Sequence, residues 1–208
     1  MFMREIIFAT GNKAKFAQLR FVAKYLNLPI GVVSGRELFG ERANYDELGE
    51  SVEEVALNGA RIVAQRIGKP VMVEDTDFRV AALDGMPGIH AGEFLKEFGR
   101  LEILKRLEGA RDRSATISSA VAYAEPNGTS QVFINRVRGT IAPQEKFGEY
   151  PDWISPTIEN SFGGGYNAIF IPDGWDKTLA QISPEEAMSW SYREKNFEDL
   201  LRFLTAKE

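Results

Sequence analysis

The feature that most constrains this fold is an alternation of short apolar runs with segments of helical periodicity in the first third of the chain. Ile6-Ile7-Phe8-Ala9, residues 30–33 and Pro70-Val71-Met72-Val73 are predicted to form buried strands. Between them, residues 13–26 and 51–67 place apolar side chains at helical spacing. Strand, helix, strand, helix and strand in this order predict an α/β fold.

Local signals set several boundaries. Ser51-Val52-Glu53-Glu54 has the spacing of a capping box, and Gly68 suits the end of the helix that follows. Residues 94–107 predict a further helix. Ser183-Pro184-Glu185-Glu186 predicts the start of a last helix that runs through residues 191–193 to Leu204.

The remaining segments are predicted from turn signals and composition. Pro126-Asn127-Gly128 lies between two strand-like segments, 115–124 and 131–141, and predicts a hairpin. Residues 166–171 predict a late strand, and residues 36–49 are polar and irregular.

Composition excludes several functional classes. The 208 residues contain no cysteine and a single histidine, His90, so disulfides and thiolate chemistry are excluded and a multi-histidine metal site is disfavoured. A net charge of −5 argues against binding a nucleic acid polymer through bulk charge. No apolar run reaches the ~20 residues that span a bilayer, and no targeting signal precedes the first strand. We expect a cytoplasmic protein with no membrane partner.

The loop after the first strand is the first candidate site. Thr10-Gly11-Asn12-Lys13-Ala14-Lys15 joins a strand to a helix N-terminus, where unpaired N–H groups and the helix dipole favour an anion. The alternative is an ordinary N-cap with two solvated lysines. The spacing of a Walker loop is missing.

Acidic residues form the second candidate site. Glu74-Asp75-Thr76-Asp77 follows the third strand, and ligands of open α/β sheets bind at the carboxyl ends of strands. Adjacent carboxylates there suit Mg²⁺, which prefers oxygen ligands and substrate phosphates. An Asp-rich turn is the alternative. Residues 41–54 could supply another metal ligand or form a solvated loop.

Two later motifs are weaker. Ser161-Phe162-Gly163-Gly164-Gly165-Tyr166-Asn167 places three glycines between two aromatic residues, as a base-binding loop or a β-bulge would. Ser191-Tyr192-Arg193 is predicted inside the last helix, where an exposed surface is the alternative interpretation.

The order of these motifs resembles the inosine triphosphate pyrophosphatase family, also called the Ham1 family, over nearly the whole chain. Ala82-Leu83-Asp84-Gly85-Met86-Pro87-Gly88 and Tyr166-Asn167-Ala168-Ile169-Phe170 belong to the same resemblance. It implies a long, twisted mixed sheet with flanking helices, the ITPase-like or Maf-like fold. Residues 1–208 would form one domain whose two lobes surround a central nucleotide cleft, and the protein would be a homodimer.

The resemblance also implies an activity, Mg²⁺-dependent hydrolysis of a nucleoside triphosphate such as ITP, dITP or XTP to the monophosphate and pyrophosphate. Asp75 would bind Mg²⁺ or orient water as a base, Glu74 would support it, and Asp46 or Glu47 would be a second metal ligand. The substrate-binding residues that it implies near the phosphates are Thr10, Gly11, Asn12, Lys15 and Thr76. Those implied near the base are Phe162, Tyr166, Asn167, Ser191, Tyr192 and Arg193.

The chain departs from the family pattern on the side that recognises the base. Asn167 replaces an aspartate, Tyr192 a histidine and Ala187 a lysine, and two extra glycines follow Phe162. Lys195 would share a helix face with Ala187 and could replace part of the lost charge. Since hydrogen-bonded readout of a base is selective and stacking is not, we expect altered base preference.

Two alternatives remain open at this point. The chain could be a pathway enzyme acting on a modified nucleotide, or a nucleotide-binding protein that has lost hydrolysis. Retention of Lys15, Glu74 and Asp75 favours an active pyrophosphatase, whereas the changes at Ala187 and Tyr192 favour the alternatives.

Overall fold

The strands of the computed structural model form one mixed sheet. The model describes residues 4–148, 165–188 and 190–206. Within these residues the sheet has the order β2-β1-β3-β5-β6-β7, and β4 pairs with β3 beside this path. The strands are β1 Arg4–Phe8, β2 Ile30–Ser34, β3 Val71–Val80, β4 Pro87–Gly88, β5 Ser114–Ala124, β6 Ser130–Ile141 and β7 Phe170–Pro172.

Helices connect and flank these strands. They are α1 Lys13–Tyr25, α2 Gly35–Phe39, α3 Val52–Ile67, α4 Ala91–Phe98, α5 Leu101–Arg106, α6 Pro184–Ala187 and α7 Glu194–Ala206. Short 3-10 turns follow at Gly40–Ala43, Ala81–Leu83 and Leu179–Gln181. None of the helices described here has both the length and the apolar character that crossing a membrane requires.

Parallel and antiparallel pairing both occur in the sheet. β1 is parallel to β2 and to β3, with Phe8 opposite Ser34 on one side and Met72 on the other. β4 is antiparallel to β3, and β7 is antiparallel to β6. The α/β class and the mixed sheet with flanking helices are confirmed.

The chain forms two compact units. The first comprises Met1–Asp75, Ser119–Asn135 and Arg193–Glu208. In its core, the rings of Phe8 on β1 and Phe197 on α7 meet edge to face, with centroids 5.9 Å apart. Both side chains are fully buried, and burying one apolar side chain of this size contributes ~1.5–3 kcal/mol.

The second unit comprises Thr76–Ser118 and Arg136–Tyr192. Its apolar cluster surrounds Phe78, whose ring stacks on Tyr166 with centroids 4.1 Å apart and meets Phe170 edge to face. Ile103 of α5 and Ile117 of β5 pack into the same cluster.

Several boundaries match the sequence prediction closely. Ser51 is the N-cap of α3, with its hydroxyl accepting from the Glu54 N–H at 3.2 Å, and Gly68 ends the helix in the left-handed conformation at φ 69°. The turn between β5 and β6 contains Asn127-Gly128, so the predicted hairpin is confirmed.

The third strand is longer than predicted, and this changes the setting of the acidic motif. β3 continues to Val80, so Glu74-Asp75-Thr76-Asp77 lies within the strand and not beyond its end. The buried Phe78 and Val80 continue the strand after the carboxylates. The prediction was wrong because a run of charged residues suggested a turn, whereas here Glu74 and Asp77 are paired with cations.

The other differences concern helices and the late strand. The helix predicted over residues 94–107 is interrupted at Gly99, which has φ 72°, and residues 36–49 contain α2 and a 3-10 turn. Residues 165–169 form turns, so the late strand is only β7.

The last helix is also interrupted. Residues 191–193 lie between α6 and α7, so Ser191, Tyr192 and Arg193 are not in a helix. The prediction that Lys195 and Ala187 share a helix face is therefore wrong. Lys195 instead forms an ion pair with Asp199.

The burial pattern predicts unequal effects for two identical substitutions. Leu200→Ala, in the fully buried face of α7, should lower the free energy of unfolding by about 2–5 kcal/mol, because it leaves a cavity. Leu38→Ala, where the leucine is 60% exposed on α2, should change it by less than about 0.5 kcal/mol. Urea unfolding of both variants measures the difference, and equal losses would contradict this description of the core.

Candidate functional site

The loop between β1 and α1 is a capped turn. Asn12 is the N-cap of α1, and its Oδ1 accepts from the N–H groups of Ala14 and Lys15 at 2.9 and 3.2 Å. The Thr10 hydroxyl oxygen accepts from the Asn12 N–H at 3.1 Å. Of the two interpretations of this loop, the structure shows the N-cap, and binding of an anion there stays a prediction.

Lys15 is not a solvated lysine. Its Nζ lies 2.8 Å from Glu74 Oε2 and donates to the Glu74 carbonyl oxygen at 3.1 Å. The side chain is 17% exposed, whereas neighbouring Lys13 is exposed. Two contacts to one residue of β3 fix the position of this ammonium group.

Glu74 is the centre of the site. Its Oε1 lies 3.0 Å from Arg193 Nε and accepts from the Ser119 hydroxyl at 2.9 Å, while Oε2 faces Lys15. Burial alone would raise the pKa of this carboxyl group, but the Arg193 guanidinium and the Lys15 ammonium lower the pKa from 4.5 to about 2. Glu74 is therefore ionised throughout the neutral range.

A chain of hydrogen bonds extends from this carboxylate into α1 and α7. Arg193 Nη1 donates to Gln18 Oε1 at 3.0 Å, and the Gln18 amide donates to Glu194 Oε1. We call Lys15, Gln18, Glu74, Ser119, Arg193 and Glu194 the Glu74 network.

Sequence analysis missed three members of this network, Gln18, Ser119 and Glu194. Gln18 is buried beside Leu19 on the inner side of α1, so a polar residue on an apolar helix face was the available signal. Glu194 is buried as well, but its sequence neighbours give no comparable indication.

Asp75 lies next to this network along β3 but on the opposite face of the strand, because side chains alternate there. It is buried, with 8% of its surface exposed. Near it, burial raises the pKa of the half-buried Tyr45 well above 10, and the carboxylates of Asp75, Glu47 and Glu74 raise it further. Asp75, Glu47 and Glu74 thus all act on one phenol, and no signal in the sequence pointed to Tyr45.

Gly59 provides the space for that phenol. A Cβ atom at this position of α3 would lie 2.6 Å from the Tyr45 ring, closer than real contacts allow. The glycine in α3 therefore lets Tyr45 pack against the helix.

The donor set fits a magnesium ion. Across the described parts of the chain, no three acidic or histidine side chains form a ready-made metal cluster. Mg²⁺ needs only one or two carboxylates, since it keeps waters and binds substrate phosphates. Asp75 and Glu47 have this chemistry, whereas Glu74 is occupied by two cations. Asp46 is exposed, like Glu47, and its role as a ligand stays a prediction.

The other two residues of the acidic motif belong to the second unit. Thr76 is half-buried on β3. Asp77 forms an ion pair with Arg79 at 2.8 Å. Asp77 is therefore already paired with a cation, and we do not include it among the metal ligands.

The predicted base-recognition residues divide into three groups. Phe162 lies outside the described residues. Arg193 belongs to the Glu74 network. Those that lie in the second unit are Tyr166, Asn167, Ser191 and Tyr192, and all four are buried.

Tyr166 and Tyr192 are held by hydrogen bonds within the second unit. The Tyr166 hydroxyl donates to the Ala91 carbonyl oxygen at 2.8 Å, and its ring is stacked on Phe78. The Tyr192 hydroxyl donates to Asn167 Oδ1 at 3.1 Å. Tyr166, Tyr192 and Ala187 all belong to the apolar cluster around Phe78, so stacking or readout of a base by these positions stays a prediction.

The fold and the site together define an α/β protein with a network of buried charges beside its first strand–turn–helix loop. Comparison with known families gives the particular group. The chain belongs to the Ham1 family, whose model matches residues 6–203.

Individual relatives cover almost the full chain. It is 36% identical to the dITP/XTP pyrophosphatase of Methanopyrus kandleri, over 93% of each chain. It is 34% identical to the inosine triphosphate pyrophosphatase of Yarrowia lipolytica, over 97% of this chain and 96% of that one. The structure of a HAM1 protein from Coxiella burnetii matches with a TM-score of 0.77 and 25% identity, over 98% of this chain and 100% of that chain.

The lowered pKa of Glu74 predicts an acid-dependent contribution to stability. A group whose pKa is lowered on folding stabilises the protein above its unfolded pKa and loses that contribution as pH falls through the folded value. A change from 4.5 to about 2 corresponds to ~3 kcal/mol, lost between about pH 5 and 2.

We therefore expect Glu74→Gln to be less stable than the wild type by ~3 kcal/mol at pH 6, and by much less at pH 3. Urea unfolding at both pH values measures this difference. Glu37→Gln, at an exposed position of α2, is the control and should show no such convergence. A gap between Glu74→Gln and the wild type that stays constant with pH would contradict the ion pairs described here.

Proposed function

We propose that this protein is a nucleoside triphosphate pyrophosphatase that hydrolyses non-canonical purine nucleotides such as ITP, dITP and XTP, with Mg²⁺. The observation that carries the proposal is the buried Asp75 beside the Glu74 network, next to the loop that begins α1. Membership of the Ham1 family supports it, as do relatives named dITP/XTP pyrophosphatase that align over nearly their full length.

The reaction forms one bond and breaks one. A water oxygen bonds to the α-phosphorus of the triphosphate, the bond from that phosphorus to the bridging oxygen breaks, and pyrophosphate leaves. Asp75 would accept the proton of the attacking water or, in its alternative role, would hold Mg²⁺ together with Asp46 or Glu47. When bound, Mg²⁺ neutralises phosphate charge and polarises the phosphoryl oxygens.

Glu74 serves as a positioning residue in this proposal. With a pKa of about 2 it is too weak a base to take a proton at neutral pH. Its charge instead holds the Lys15 side chain in place beside the loop. Thr10, Gly11, Asn12 and Thr76 would help to bind the phosphates.

The base would be recognised by residues in the last third of the chain, between positions 162 and 193. The Tyr192 hydroxyl orients the amide of Asn167, and that amide can both donate and accept hydrogen bonds. Phe162 and Tyr166 would contribute aromatic surface, and Ser191 and Arg193 polar groups. We infer weaker discrimination between ITP and ATP than in relatives with lysine and histidine at positions 187 and 192.

The remaining features of the proposal concern organisation. We propose that residues 1–208 act as one catalytic domain with two lobes, as a homodimer in the cytoplasm. These features come from the family resemblance.

A panel of nucleoside triphosphates tests the function directly. We expect pyrophosphate release from ITP, dITP or XTP in the presence of Mg²⁺, measured by a coupled assay. Binding of these nucleotides without any pyrophosphate release would favour a nucleotide-binding protein that has lost hydrolysis. Release only from some other, modified nucleotide would favour a pathway enzyme.

Asp75→Asn tests the catalytic assignment. The variant keeps the size of the side chain but removes its charge, so kcat should fall by roughly 10²–10⁴-fold while the fold is retained. Asp77→Asn on the same strand is the matched control and should keep most of the activity. Pyrophosphate release and unfolding curves are measured for both, and full activity in Asp75→Asn would show that the site is misplaced.

Tyr192→Phe tests base recognition. Restoring a lysine at Ala187 would bury a charge in an apolar cluster, so removing one hydroxyl is the cleaner change. The loss of the hydrogen bond to Asn167 should change the ratio of kcat/KM for ITP to that for ATP by about three- to tenfold, the scale of one buried hydrogen bond. A competition assay with both nucleotides measures the ratio. An unchanged ratio would exclude this pair from base recognition.

A further inference from the structure

The loops that follow β1 and β2 pack directly against each other. Phe8 and Ser34 are opposite each other at the ends of these parallel strands. A Cβ atom on Gly35, the next residue, would lie 3.0 Å from the Phe8 carbonyl oxygen and 3.2 Å from Ala9 Cα. The glycine therefore allows the start of α2 to lie against the end of β1, beside the loop that carries Thr10 and Asn12.

This packing brings Arg36 over Gly11. The Arg36 Nη1 atom lies 2.8 Å from the position that a Cβ atom of Gly11 would occupy. Gly11 does not have a left-handed backbone conformation, so its φ angle does not require a glycine. The guanidinium group, at the free end of a flexible side chain, lies where a side chain of Gly11 would begin.

Two of the cations beside this loop, Lys15 and Arg36, are held differently. Lys15 is 17% exposed and forms a close ion pair with the buried Glu74. The Arg36 side chain is 57% exposed, and its ion pair with Glu41 is 3.9 Å long, with Glu41 itself 84% exposed. An exposed pair at this distance contributes little, so Arg36 can turn to a new anion at low cost.

We propose that Arg36 is a phosphate-binding residue of this protein, contacting the triphosphate of the substrate from above Gly11. The guanidinium group can bind two phosphate oxygens at once, whereas Lys15 supplies a single charge from the side of β3. This inference rests on the proposed function for the identity of its ligand. Because Arg36 contacts phosphate, its contribution is the same for every base.

The first experiment measures binding without hydrolysis. Inorganic tripolyphosphate is titrated calorimetrically, in magnesium-free buffer, into the wild type, Arg36→Ala, Arg36→Lys and Arg20→Ala. Arg20→Ala is the matched control, because Arg20 is an exposed arginine on α1 of the same unit. We expect Kd to rise about tenfold in Arg36→Ala and less in Arg36→Lys, and to change by less than about twofold in Arg20→Ala.

The second experiment tests the geometry. Gly11→Ala should displace the guanidinium group and raise Kd, whereas adding Gly11→Ala to Arg36→Ala should have little further effect. With ITP and with ATP as substrates, Arg36→Ala should raise both KM values by the same factor and leave kcat nearly unchanged.

The outcomes separate the two proposals. Three results would overturn the role of Arg36, even if nucleotides are hydrolysed. The first is an equal loss of affinity in Arg36→Ala and Arg20→Ala, and the second is additive effects of Gly11→Ala and Arg36→Ala. The third is no tripolyphosphate binding by the wild type. Tripolyphosphate binding that depends on Arg36, without release of pyrophosphate from any nucleotide, would leave Arg36 as a phosphate ligand and refute the pyrophosphatase.

Discussion

The first unit depends on a carboxylate that would be costly to bury alone. Removing Glu74 from water is unfavourable, and the two cations and the hydroxyl around it offset that cost. These partners come from α1, β5 and the residue before α7, so one side chain of β3 connects distant parts of the chain. Loss of either cation would leave buried charge uncompensated, so both are needed once Glu74 is buried.

The network also determines what its neighbours can do. Glu74 is held as an anion by its two cations, so it is not available as a proton acceptor near neutral pH. That leaves Asp75, on the other face of the strand and near Tyr45 and Glu47, as the carboxylate suited to chemistry. Two adjacent acidic residues thus have different surroundings: Glu74 is paired with two cations, and Asp75 is the carboxylate that we propose for the chemistry.

The sequence predicts the first unit better than the second, because the helices and strands of the first unit carry strong local signals. α3 begins after Ser51 and ends before Gly68, as expected, and the first two strands occur where the apolar runs predict them. β3 was predicted too short, because the pairing of Glu74 with Arg193 joins residues 119 positions apart and leaves no local signal. The same holds for Gln18 and Glu194, and for Arg36, whose position over Gly11 depends on the register of β1 and β2.

The burial of Tyr166, Ala187 and Tyr192 among apolar side chains has a consequence for attempts to redesign the enzyme. Substitutions at these positions alter packing at the same time as they alter any contact with a base. In libraries of variants at these positions, many variants will misfold, so that their substrate preference cannot be measured. Variants with new selectivity are therefore best sought in a background first stabilised elsewhere, so that the second unit can tolerate an imperfect interior.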